Sequence, residues 1–134
     1  MLVALLALQA HFAASYLVPL DRQAQDEFGG LLRWFWPWSY GDGGPLGQIT
    51  VGHDLPMIGL FLALIATLLL GLATLAAAGL WVPTAWCRAL ASSGAVLLVS
   101  LMALFIGVTK LAPMAFALGT LYIVLATPAL AEVE

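Results

Sequence analysis

Only a handful of residues in this 134-residue chain could do chemistry, and His11 comes first among them. An imidazole inside an apolar segment can ligate the metal of a haem or chlorophyll, relay a proton, or hydrogen-bond to a neighbouring helix. A bis-histidine haem would need His53 as the second ligand, yet His53 sits at a segment edge while His11 lies about 13 Å deeper. Tyr122 stands mid-way along another apolar stretch, where its hydroxyl needs a partner such as Ser100, Thr67 or His11. Cys87 is next to Arg88, whose charge favours a reactive thiolate, the alternative being an inert cysteine at a segment edge. As the only cysteine, it excludes an internal disulfide, a CxxC pair and a thiolate zinc cage. The chain also lacks GxSxG, HExxH and a phosphate-binding loop. No catalytic residue and no metal site is assigned.

The elements that position these residues follow from composition. Hydrophobic residues make up 63% and charged residues 8%, against about a quarter charged in a soluble domain. Mean hydropathy is +1.07. Such a chain cannot coat a water-facing surface, and its net charge of −3 gives no nucleic-acid footprint. Charges act as punctuation: residues 1–20, 55–87, 89–109 and 111–131 contain none. About 20 apolar residues cross the hydrocarbon of a bilayer. The pattern therefore predicts four transmembrane helices, about 2–19, 55–81, 88–107 and 110–130, as one integral membrane domain over 1–134. Pro83 is expected to stop the second. Asp54 reads as its cap, and Lys110 as a turn residue reaching the interface along its aliphatic stem. The first segment has no Lys or Arg before its apolar run, so it reads as a retained helix rather than a secretory signal.

Residues 21–54 hold most of the charge. Ala24, Phe28, Leu31, Leu32 and Phe35 recur at helical spacing after Asp21, while Arg22, Gln25, Asp26 and Arg33 take other faces. With Trp34, Trp36, Trp38 and Tyr40 close by, this predicts an amphipathic helix at the interface, the alternative being an aromatic loop that contacts a partner. The GDGGPLG stretch at 41–47 reads as a turn. Counting cations places this loop in the cytoplasm, but its five carboxylates oppose so small a vote and no orientation is assigned. The expected location is a cell membrane, the bacterial inner membrane.

In lipid, helices associate through small residues. Gly59, Ala63, Thr67, Gly71, Thr74 and Ala78 form one stripe on the second segment. Ser93, Ser100, Ala103 and Gly107 form one on the third, and Ala112, Ala115, Gly119 and Ala126 one on the fourth, with Tyr122 on the same face. Together they predict a compact all-α bundle. On the first segment, Ala4, Ala7, His11 and Ala14 share a face that would turn His11 inward. Gln9 then lies about 200° around the helix. An amide facing hydrocarbon is costly, so Gln9 is expected to meet a second protein surface, from another copy or another subunit.

The segment GLATLAAAGLWVPTAWCRALASSGAVLL (71–98) and the four-segment layout around it resemble the DoxX-like small membrane proteins. Those have four spans, an amphipathic segment after the first, a glycine-rich second span, a short turn with an arginine and a small-residue third span. The resemblance implies that fold and, for some relatives, a link to quinone-dependent redox chemistry. It carries over no catalytic residue. Three functions are therefore open: a non-enzymatic accessory or structural subunit of a larger membrane complex, a DoxX-like redox-associated protein, and a small transporter, pore or pigment-binding protein centred on His11. The partners expected are membrane lipids and other membrane subunits, or a second copy through the first helix.

Overall fold

The structure is a computed structural model and describes residues 1–17, 54–104 and 110–126. The expected interfacial segment, with Phe28, Leu31, Leu32, Trp34, Phe35, Trp36 and Trp38, lies outside them, as do His53 and Gly107. The described residues form four α-helices: α1 (Leu2–Ala14), α2 (Asp54–Ala77), α3 (Cys87–Leu104) and α4 (Leu111–Ala126). A short 3₁₀ turn, Thr84–Trp86, leads into α3. α2 packs against α1 on one side and α3 on the other, α4 packs against α3, and a smaller α1–α4 contact completes the bundle.

Two stretches, Ile58–Ala77 and Thr84–Leu104, are long and apolar enough to cross a membrane. α1 has 13 residues, so its length is about 20 Å, and α4 has 16, about 24 Å. α1 ends short of the expected span of about 2–19, and α4 runs to Ala126, the last described residue there. The end of α1 has a local cause. Ser15 Oγ donates to the Phe12 carbonyl at 2.7 Å, and the next amides tighten to i→i−3 bonds, Tyr16 to Ala13 and Leu17 to Ala14.

Pro83 does not stop α2, which ends at Ala77. Gly79, at φ +69°, takes the left-handed conformation that closes a helix end. Its amide bonds the Ala76 carbonyl and the Leu80 amide bonds the Leu75 carbonyl, the paired pattern of a Schellman cap. The chain then makes a tight γ-turn in which Val82 N donates to Leu80 O at 2.6 Å around Trp81, itself at φ +58°. Pro83 serves instead as the residue before the 3₁₀ turn.

The bundle is small inside and large outside along α2. Gly59, Ala63, Ala66, Leu70, Ala73 and Ala76 are buried. Ile58, Phe61, Ile65, Leu68 and Leu72, spaced three and four apart, are each at least 40% exposed. The inward line thus follows the expected stripe at Gly59 and Ala63, then runs beside it. Thr67, Gly71 and Thr74 are half-buried and Ala78 is exposed. Thr67 and Thr74 return their hydroxyls to the Ala63 and Leu70 carbonyls at 2.7 Å, so neither needs to face a neighbour. On α3 the inward residues are Cys87, Ala91, Gly94, Ala95, Leu98, Leu101 and Met102. Ser93 and Ser100 face outward instead. On α4 they are Pro113, Ala117, Thr120 and Val124. Gly119, Ala115 and Ala126 are exposed, and Tyr122, expected inside, is 75% exposed.

Candidate functional site

The polar centre of the bundle is not where the sequence suggests. α1 turns Leu6, Gln9, Phe12 and Ala13 inward and leaves Ala4 and Ala7 exposed. Gln9 is therefore fully buried, and His11 is only half-buried, with its ring 6.0 Å from that of Phe12. The physical reason is the amide nitrogen, which finds acceptors on α4 at less cost than in an apolar surround. Gln9 Oε1 has no hydrogen-bond partner among the described residues. Gln9 Nε2 donates to Thr120 Oγ1 and lies 3.5 Å from the Phe116 carbonyl. Thr120 Oγ1 in turn donates to that carbonyl at 3.1 Å. α4 thus presents a hydroxyl and a carbonyl one turn apart, and the α1 amide bridges them. Gln9 Nε2 thus meets acceptors within its own bundle, on α4. Thr120, which the stripe of small residues passed over, is the residue that matters there.

The cationic positions also differ from expectation. Lys110 is 1% exposed and does not reach outward at the turn. Arg88 does reach across: its Nη2 donates to the Leu125 carbonyl at 3.4 Å, satisfying a carbonyl near the end of α4 from the first turn of α3. Cys87 is buried, with Sγ 3.7 Å from the Ala73 carbonyl of α2, so it packs a helix seam rather than standing open at an edge. Asp54 is the first residue of α2. Among the described residues, no three His, Cys, Asp or Glu side chains gather where a metal could bind.

Two features escape a reading of the sequence. Gly94 meets Leu70 so closely that a Cβ there would stand 2.7 Å from Leu70 Cγ and 3.2 Å from its backbone nitrogen. Trp81 and Trp86, 97% and 63% exposed, mark the α2–α3 end of the bundle. Tryptophans on both sides of a proline at the end of an apolar run are a signal that could have found them. On the outer side of α3 and α4 a groove of about 430 Å³ is lined by Ser92, Ser93, Val96, Leu97, Leu121 and Leu125. No protein family, no curated protein and no solved structure matches this chain.

Proposed function

We propose that this chain is an integral membrane protein, its four helices lying in the bilayer, that serves as a non-enzymatic accessory subunit of a larger membrane complex. One observation carries the membrane reading: the distribution of side chains along α2 is the reverse of a water-soluble helix. Its outer line is Ile58, Phe61, Ile65, Leu68 and Leu72, whereas the inner line is almost all glycine and alanine. Only 28% of its apolar window is buried within the bundle. Exposed apolar surface on that scale needs an apolar solvent or partner, and small residues at the contacts let helices approach where lipid leaves no hydrophobic gain from docking.

The structural role is supported by how the hydroxyls are used. Those of Thr67, Thr74, Ser100 and Thr120 each return to a carbonyl of their own helix. A hydroxyl so engaged serves the fold.

Alkaline carbonate fractionation followed by purification in mild detergent tests both parts. The chain should stay with membranes, purify with stoichiometric membrane partners, and be colourless in visible absorption. Release by carbonate would overturn the membrane reading. A partnerless protein with quinone-dependent turnover would replace the subunit reading with the DoxX-like redox one, and a coloured protein would restore His11 as a pigment ligand.

A further inference from the structure

We propose that the outer groove between α3 and α4 holds an acyl chain of an anionic phospholipid whose phosphate is taken by Arg88. This inference rests on the membrane reading above. The groove is almost wholly apolar, with two serines at the end nearer the start of α3. Val96, Leu97 and Leu121 line its apolar part, and Ser92 and Ser93 stand nearer the start of α3. Arg88 lies one helical turn beyond Ser92, on the same side of α3. Its guanidinium is anchored to the carbonyl of Leu125, a groove wall residue, and so sits at the groove's end.

The charge fits the occupant. Lys110 is buried, which leaves Arg88 as the accessible Lys or Arg among the described residues. A guanidinium has five N–H donors, and the Leu125 carbonyl takes one here, leaving a fork suited to two phosphate oxygens.

The depth fits as well. From Arg88 to Leu97 the helix rises about 13 Å, close to the roughly 15 Å of one leaflet's hydrocarbon. Trp81 and Trp86 mark the Arg88 end as the headgroup level, since indoles concentrate there. A volume of about 430 Å³ is within the range of clefts that take small apolar ligands.

The test uses the full chain in mild detergent, titrated with phosphatidylglycerol or phosphatidylcholine and read by native mass spectrometry. One phosphatidylglycerol should be retained per chain in preference to phosphatidylcholine. Arg88→Gln should weaken that retention about tenfold. Leu121→Trp, which fills the groove and leaves Arg88 in place, should reduce retention of both lipids, and unchanged helicity by circular dichroism would confirm that either variant is folded. Equal retention of the two lipids, or inorganic phosphate competing as well as the whole lipid, would overturn the proposal. So would a dimer that Leu121→Trp dissociates, because a second copy would then be the occupant. Carbonate extraction separates the two failures: a chain that leaves the membrane sinks the earlier reading, and one that stays without lipid preference sinks only this site.

Discussion

The α2–α3 seam and the α1–α4 seam are held in different ways. At the first, Gly94 has no side chain, so α3 comes within reach of the Leu70 backbone, and Cys87 packs on the Ala73 carbonyl. At the second, contact is smaller and an amide does the joining, Gln9 to Thr120 and Phe116. On the membrane reading, close approach and hydrogen bonding are the two means of helix association that lipid leaves available. This bundle assigns one to each side.

The sharpest way to break that contrast is Gly94→Leu. The added side chain has no room over Leu70, and overpacking should cost about 1–3 kcal/mol, read as a lower denaturation midpoint in detergent. An unchanged midpoint would show that the two backbones are not in contact.

A smaller effect belongs to the other seam. A double-mutant cycle with Gln9→Leu and Thr120→Val should give a coupling of about 0.6–1.7 kcal/mol. Strictly additive losses would mean that the amide does not join α1 to α4. The same cycle built on Gly94 and Thr120 should be additive, since the two lie on different seams.

The smallest expected effect has the opposite sign. A methyl group added at Gly71 or Gly119 would meet nothing within 4 Å, so neither glycine is a contact point. Gly71→Ala and Gly119→Ala should each stabilise by about 0.5–1 kcal/mol through helix propensity alone. A loss at either would place an unseen neighbour there.

The helices themselves were legible because a charge inside an apolar run is expensive. Arg88 is the second residue of α3, and Lys110 immediately precedes α4. The faces were harder to read, because alanine and glycine lie all around these helices and more than one line of small residues can be drawn. Hydroxyls misled for a related reason: Thr67 and Thr74 satisfy themselves on their own backbone, so polarity did not point inward. Gln9 could not do this, and its burial was decided by Thr120 on a helix more than a hundred residues away. Nothing local to α1 announces that partner. The end of α2 was readable in principle, since a glycine two residues beyond a helix is a stronger stop than a proline six residues beyond.

On the membrane reading proposed above, one disparity among the helices has a consequence for the bilayer. α1, with 13 residues, measures about 20 Å, while α2 beside it, with 24, measures about 36 Å. In a bilayer, hydrophobic mismatch would then differ from one flank of the protein to the other, with acyl chains compressed next to the short helix and the long one tilting to fit. Thin bilayers relieve the first of these distortions, so the protein should partition toward thinner regions of a mixed-thickness membrane.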